Sequence, residues 1–209
     1  MDAKAHWETV YQTKAPTSVS WYSPHLERSM EIIGKLGLEP SAQIIDVGAG
    51  ESTLVDDLIA DGYLNLTVLD ISQTALDVAR QRLGEKASSV AWKQADITAV
   101  ELPLQKFDLW HDRAVFHFLT NVEQRLAYVR GVMRSVKPGG YVIVATFGPQ
   151  GPEKCSGLNV MRYDADSLHH EFGKTFKLLD SLTEQHQTPF GTTQQFVYCY
   201  CKVEVSADC

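Results

Sequence analysis

The sequence predicts an α/β protein built on a doubly wound, mostly parallel, seven-stranded sheet with helices on both faces and a terminal antiparallel hairpin. Short β-rich runs alternate with segments of helical periodicity after the first two dozen residues, which is typical of a sheet covered on both faces. A glycine-containing turn follows the first β-rich run. Near the C-terminus, two further β-rich runs flank a turn-rich loop, which indicates an antiparallel pair.

The first half of the chain supplies three helices and two strands. Apolar residues recur on one helical face of HLERSMEIIGKLG, which ends at a glycine, and Ser72 is a suitable N-cap for QTALDVARQRLG. The predicted helices are 25–37, 54–62 and 73–84, and the predicted strands are 42–47 and 64–70.

The second half continues the alternation and then changes rhythm. The sequence predicts strands at 89–96, 107–112 and 141–147, a helix near 122–136 and a turn at the KPGG of 137–140. A helix at about 164–172 then precedes the two terminal strands, TFKLLDSLTEQ and QFVYCYCKVEV.

Length and charge limit the functions to consider. At 209 residues and 44% hydrophobic, the chain fits a single domain, residues 1–209, which we divide into an N-terminal lid (1–24), a ligand-binding core (25–147) and a substrate-side segment with the terminal strands (148–209). The net charge of -7 disfavours nucleic acid as a partner. No apolar run approaches the ~20 residues that span a bilayer, so we expect a cytoplasmic protein without a membrane partner.

The four cysteines predict neither a metal site nor a disulfide framework. Cys155, Cys199, Cys201 and Cys209 include no CxxC pair, and the chain is too long and too cysteine-poor for a disulfide-stabilised scaffold. We expect reduced thiols and no metal.

The segment IIDVGAGES (44–52) contains the most informative turn. A phosphate-binding P-loop needs a lysine that this segment lacks, and a dinucleotide fingerprint needs a glycine or alanine where Thr53 stands. Asp46 precedes the Gly48-Ala49-Gly50 turn, and its carboxylate would repel a pyrophosphate but attract an ammonium or sulfonium group. The sequence therefore predicts a ligand that is cationic at this end.

Two further carboxylates end the next predicted strands. Asp70 lies twenty residues after Gly50, where a carboxylate can accept hydrogen bonds from ribose hydroxyls. Asp96 follows the third strand, within reach of an adenine amino group. Three successive strand-end carboxylates describe S-adenosylmethionine better than a nicotinamide cofactor.

The ordered segments IIDVGAGES, VLDIS, QADIT, FDLWHDRAVFHFL and VKPGGYVIVATF resemble those of class I S-adenosylmethionine-dependent methyltransferases over roughly residues 25–147. The resemblance implies S-adenosylmethionine as the cofactor. It also implies that the methionyl end lies against Asp46 and the Gly48-Ala49-Gly50 turn, the ribose against Asp70, and the adenine against Ile71, Asp96 and Ile97.

The predicted catalytic residues lie just after the fourth strand, in WHDRAVFHF. An imidazole can take a proton near neutral pH, so His117, or failing it His111, is the candidate general base. The alternative is that His111 only contacts the cofactor and His117 packs in the core. Methyl transfer then depends on positioning and desolvation alone.

Two segments are predicted to surround the acceptor. The aromatic N-terminal segment offers Trp7, Tyr11, Trp21 and Tyr22 as a lid, although an amphipathic helix packed on the sheet explains Trp7 and Tyr11 equally well. The 148–164 segment offers Cys155 for a soft, thiol-like acceptor and Arg162 for a carboxylate.

The sequence thus predicts a methyltransferase acting on a small molecule. A protein lysine methyltransferase and a non-catalytic module that binds S-adenosylmethionine are the alternatives.

Overall fold

A computed structural model of the chain describes residues 2–204 and confirms the predicted fold class. The seven strands of the main sheet follow the order β3-β2-β1-β4-β5-β9-β8. In chain order they are β1 (Gln43–Val47), β2 (Asn65–Asp70), β3 (Val90–Gln94), β4 (Phe107–Arg113), β5 (Val136–Phe147), β8 (Phe176–Gln187) and β9 (Thr193–Val203). Two short strands, β6 (Lys154–Cys155) and β7 (Leu158–Asn159), form a separate antiparallel pair.

Strand direction explains where a ligand site can form. β1 to β5 are parallel to one another, whereas β9 pairs antiparallel with β5 and β8 pairs antiparallel with β9. The chain order reverses at β1, because β2 and β3 lie on one side of it and β4 and β5 on the other. Crevices at such a reversal, beyond the carboxyl ends of the strands, are the usual ligand sites of α/β sheets.

Six α-helices surround this sheet in the described part of the chain. They are α1 (Ala3–Thr13), α2 (Glu27–Lys35), α3 (Leu54–Ala60), α4 (Gln73–Leu83), α5 (Val122–Ser135) and α6 (Ala165–Phe172). Apolar side chains of α2, α3 and α4 join one buried cluster, and those of α5 and α6 join the other. The sheet therefore has a hydrophobic core on each face, as its mainly buried central strands require.

The predicted turn at 137–140 is wrong as a boundary of the fifth strand. β5 begins at Val136, which pairs with Phe107, and its register on β4 shifts before Leu109 pairs with Tyr141. Gly139 has φ +81° within this irregularity, a conformation that favours glycine. The glycines therefore form a bulge inside a longer strand.

Three of the four cysteines lie in the described residues. Cys155, Cys199 and Cys201 are buried free thiols, and the last two belong to the core on the α5 and α6 face. Cys209 lies outside the described residues. No helix within residues 2–204 combines the length and apolar character needed to cross a membrane.

Candidate active site

The glycine turn after β1 packs closely against the side chains of Val115 and Tyr11. Gly48 and Gly50 have φ values of +63° and +55°, which are strained for any residue with a side chain. A Cβ atom at Gly48 would collide with Val115, and one at Gly50 would collide with the hydroxyl of Tyr11. The turn therefore requires glycine at both positions for reasons of conformation and space.

Asp70, at the end of β2, fixes this turn. One carboxylate oxygen accepts a hydrogen bond from the backbone N–H of Gly50 at 2.7 Å, and the other accepts from that of Ser72 at 2.8 Å. Burial raises the pKa of Asp70 to about 6, although these two hydrogen bonds oppose the shift. Each oxygen retains acceptor capacity for a ligand hydroxyl.

Asp46 and His111 form a buried pair across β1 and β4. The His111 Nδ1 lies 2.7 Å from Asp46 Oδ1, and its Nε2 lies 2.9 Å from the hydroxyl of Ser29 in α2. His111 is only 1% exposed, and both of its ring nitrogens are engaged. The imidazole is therefore placed to orient the Asp46 carboxylate.

Glu51 is a site residue that the sequence analysis missed. Its Oε2 is buried without a hydrogen-bond partner in the described part of the chain. Burial raises the pKa of Glu51 to about 7, with the Arg82 guanidinium lowering it and the Asp70 charge raising it. The sequence signal that could have identified Glu51 is its position directly after Gly50.

Two cavities meet around the glycine turn and share Tyr11, Trp21, Gly48 and Arg113 in their walls. The first, of about 50 Å³, lies at the Asp46 end, and the second, of about 180 Å³, extends past Asp70. Of the predicted site residues, the first cavity is lined by Tyr11, Trp21, Tyr22, Asp46, Gly48, Ala49 and His111. The second is lined by Trp7, Tyr11, Trp21, Gly48, Asp70, Ile71, Asp96, Ile97 and Cys155. Gly50 lines neither cavity but receives the bond from Asp70.

α1 covers the second cavity with its Ala3, Trp7 and Tyr11 face. Trp7 packs edge-on against Trp21 and Phe118, with ring centroids 5.8 and 5.0 Å apart. The helix α1 therefore places Trp7 and Tyr11 over the second cavity.

Glu8, which the sequence analysis also missed, attaches α1 to the start of α4. Its carboxylate accepts hydrogen bonds from the backbone N–H groups of Gln73 at 2.6 Å and Thr74 at 3.2 Å, and from the Ser72 hydroxyl at 3.0 Å. A carboxylate at a helix N-terminus satisfies free N–H groups and complements the helix dipole. α1 is thus anchored two residues from Asp70.

The β6–β7 hairpin forms another part of the cavity wall, through Cys155 and Leu158. Ser156 and Gly157, at its tip, have φ values of +50° and +81°, as a two-residue hairpin turn requires. Burial raises the pKa of the Cys155 thiol to about 11, so it is protonated at neutral pH.

Arg162 does not reach either cavity. Its guanidinium donates to the carbonyls of Pro149 and Gly151 and pairs with Glu153 at 3.1 Å. These contacts give Arg162 a role in shaping the loop before the hairpin, and its predicted carboxylate clamp has no geometric support.

The structure also fails to bring His117 to a cavity wall. The side chain is fully buried, and its Nδ1 accepts a hydrogen bond from the Phe147 backbone N–H at 3.1 Å. Burial and the nearby Arg113 charge lower the pKa of His117 to about 3. The imidazole is therefore a neutral packing group here, and its predicted role as a general base has no geometric support.

The chain is similar in sequence to known methyltransferases. A family profile described as a methyltransferase domain matches residues 44–140. The chain is 21% identical over 196 residues to EEF1A lysine methyltransferase 2 of Homo sapiens, a match that covers 87% of this chain and 77% of that protein. It is 25% identical over 138 residues to the eEF1A lysine and N-terminal methyltransferase of Mus musculus, covering 66% of this chain and 19% of that protein.

Other relatives have different acceptors in their names. The chain is 28% identical over 117 residues to the malonyl-[acyl-carrier protein] O-methyltransferase of a Paenibacillus species, covering 54% of this chain and 41% of the relative. The chain thus spans well under two thirds of the mouse and Paenibacillus proteins.

Solved structures share the fold over nearly the whole chain. A structure from a study of the conversion of a disulfide bond into a thioacetal group in echinomycin biosynthesis has a TM-score of 0.77 at 18% identity, covering 98% of this chain and 94% of that one. An S-adenosylmethionine-dependent methyltransferase from Anabaena variabilis has a TM-score of 0.72 at 14% identity, covering 96% and 93%.

Proposed function

Because the chain belongs to the class I S-adenosylmethionine-dependent methyltransferases, we propose that it binds S-adenosylmethionine in the two joined cavities and methylates a small-molecule acceptor. The observation that supports this best is the first cavity, where Asp46 and the partnerless Glu51 oxygen lie beside the glycine turn. Carboxylates buried beside a bare backbone turn favour a cationic ligand over a phosphate.

The residues present fit each part of this cofactor. Asp46 and Glu51 would hold the ammonium at the methionyl end, and Asp70 would accept hydrogen bonds from the ribose. The apolar side chains of Ile71 and Ile97, together with the exposed Asp96, would surround the adenine. When bound, the cofactor supplies an electrophilic methyl group on a sulfonium.

The carboxyl and thiol side chains that line the second cavity are already engaged or hold their proton. Asp70 and Asp96 accept hydrogen bonds within the protein and are assigned to the cofactor in this proposal, while burial raises the pKa of Cys155 to about 11. Burial raises the pKa of Tyr11 well above its usual value. We therefore propose that the chain contributes orientation and water exclusion, and that the acceptor enters the site already deprotonated.

A lysine side chain is the second candidate acceptor. The aromatic rings of Trp7, Tyr11, Trp21 and Phe118 line the second cavity, and aromatic faces attract ammonium groups by about 0.5–2 kcal/mol. A match over most of both chains to a relative named as a lysine methyltransferase also supports this class.

Calorimetry with S-adenosylhomocysteine, followed by a labelled-methyl screen against separate metabolite and protein pools, tests the proposal. We expect binding and label transfer to the metabolite pool. Label only in protein would favour the lysine alternative. Binding without transfer to either pool would indicate a non-catalytic module, and no binding would contradict the cofactor assignment.

A further inference from the structure

The helix α5 carries an apolar stripe that is open to solvent. Of the seven large apolar side chains that are exposed in the described part of the chain, three belong to this helix, namely Val122, Leu126 and Met133, at 54%, 50% and 45% exposed. With about 100° of rotation per residue, all three lie within about 40° of one another around the helix. They form one stripe, about 16 Å long, which we call the apolar stripe.

The apolar stripe is separate from the part of α5 that faces the core. Tyr128, Val129 and Val132 are buried and join the cluster on the α5 and α6 face of the sheet. An amphipathic helix needs only one such apolar face to pack on its sheet. Single exposed apolar residues are normal, but an aligned second row on one helix is typical of a surface that contacts another protein.

Three charged side chains follow the apolar stripe along one side. Glu123, Arg130 and Arg134 lie about 80–120° around the helix from Val122, and all three are exposed. None of them forms an ion pair with another residue between 2 and 204. This charged flank is negative at the start of α5 and positive at its end.

The apolar stripe is complementary to itself when a second copy of α5 runs antiparallel to it. A two-fold axis beside the middle of the helix, between positions 127 and 128, places Val122 opposite Met133 of the second copy. The same axis brings the two Leu126 side chains together at the centre. Apolar side chains therefore meet along the whole stripe.

The charged flank is also complementary to itself about this axis. The rotation keeps both flanks on the same side of the helix pair and reverses the direction of one of them. Glu123 then faces position 132 of the second copy, about 3 Å along the helix from both Arg130 and Arg134 of that copy. Opposite charges face each other at both ends of the pair, which favours this partner and this orientation.

We propose that this face of α5 is a self-association surface, on which a second copy of the chain docks antiparallel about a two-fold axis. Gln124, which lines the second cavity, lies about 160° around the helix from Val122, so the dimer leaves that cavity open. The proposal does not depend on the proposed function. One helix face buries much less than the ~800 Å² per partner of a stable interface, so we expect a reversible dimer with a Kd on the order of 10–100 µM.

Sedimentation velocity of the full chain, from about 5 to 500 µM, tests the apolar stripe. We expect the wild-type protein to shift from monomer to dimer over this range. Leu126→Glu places two carboxylates at the centre of the contact and should weaken the dimer at least ~10-fold. Met133→Glu is the second test of the stripe if Leu126→Glu does not fold.

A pair of charge variants tests the charged flank. Glu123→Arg and the double variant Arg130→Glu/Arg134→Glu should each dimerise at least ~10-fold more weakly than the wild type, because like charges then face each other. An equal mixture of the two should recover a dimer at least as tight as that of the wild type, because opposite charges again meet at both ends.

Glu27→Arg is the matched control, because Glu27 is an exposed residue in the first turn of α2, on the other face of the sheet. It should dimerise like the wild type. Adding Leu126→Glu to one member of the mixed pair should remove the recovered dimer, which distinguishes docking of the stripes from general attraction between oppositely charged proteins. Thermal unfolding checks that each variant is folded.

Several results would overturn this surface. One is a wild-type protein that stays monomeric up to about 500 µM, and another is growth beyond the dimer, because a two-fold contact closes on itself. A folded Leu126→Glu or Met133→Glu that dimerises like the wild type, or mixed charge variants that do not associate, would have the same consequence.

Discussion

Asp70 connects the glycine turn to the start of α4 through two buried backbone hydrogen bonds. In Asp70→Asn the amide NH₂ must face one of the two backbone N–H groups, at Gly50 or Ser72. We expect the free energy of unfolding to fall by about 1–3 kcal/mol, the cost of one unsatisfied buried donor, and S-adenosylhomocysteine affinity to fall at least ~10-fold. Urea unfolding and calorimetry measure the two effects.

Asp108→Asn is the control for this change. Asp108 lies near the start of β4, whereas the cavity-lining residues of β4 lie at its end, and Asp108 pairs with Lys137 at 2.8 Å. Its ligand affinity should match wild type. Equal affinities for Asp70→Asn and wild type would remove Asp70 from the binding site.

We do not expect His117 to act as a general base. Its pKa of about 3 keeps the imidazole neutral throughout pH 6–9, so substitution should not change the shape of the pH–rate profile in that range. We expect His117→Gln to lose about 1–3 kcal/mol of stability because the Phe147 N–H loses its acceptor. A turnover loss of ~10²-fold or more, with an altered pH profile, would restore the catalytic role.

At the scale of elements, α1 lies over the second cavity, and the Glu8 carboxylate attaches it to the N-terminus of α4 by three hydrogen bonds. We predict that Glu8→Gln weakens this attachment and increases the dissociation rate of S-adenosylhomocysteine about 3- to 10-fold, because the charge on three hydrogen bonds is lost. Stopped-flow tryptophan fluorescence can measure the rate, since Trp7 and Trp21 line the cavity.

Glu123→Gln is the matched control, because Glu123 occupies the first turn of α5, another helix N-terminus. It should leave the dissociation rate unchanged. If Glu8→Gln also leaves it unchanged, α1 does not control ligand release.

Elements were predictable from the sequence where local pattern and tertiary packing agree. The strand that includes Asp46 and the capped helix after Ser72 appear where periodicity and capping place them. The glycines at 139 and 140 were predicted as a turn, but Val136 and Tyr141, on either side of them, both pair with β4, so they form a bulge within β5.

For the whole molecule, the sequence could indicate the strand-end carboxylates because parallel strands end at one edge. It could not indicate the contacts made by residues far apart in the chain. Glu8 reaches α4 over more than sixty residues, and Arg113 meets Tyr198 of the antiparallel hairpin. Such pairs depend on how the elements pack, which periodicity does not encode.

For the whole molecule, Glu51 couples pH to both folding and ligand binding. Its folded-state pKa of about 7 lies above the unfolded value, so Glu51 favours folding below about pH 4 and that contribution is lost as pH rises through 7. A cationic ligand favours the ionised carboxylate, so affinity changes in the opposite direction. We expect S-adenosylhomocysteine affinity to rise roughly tenfold from pH 6 to 8, as the ionised fraction of a group with this pKa does.

In Glu51→Gln the rise in affinity should be small, and the melting temperature of the free protein should fall less from pH 6 to 8 than it does in the wild type. Calorimetry and thermal unfolding at pH 6, 7 and 8 measure both quantities, and an equally steep rise in affinity in the variant would show that another group near the ligand titrates.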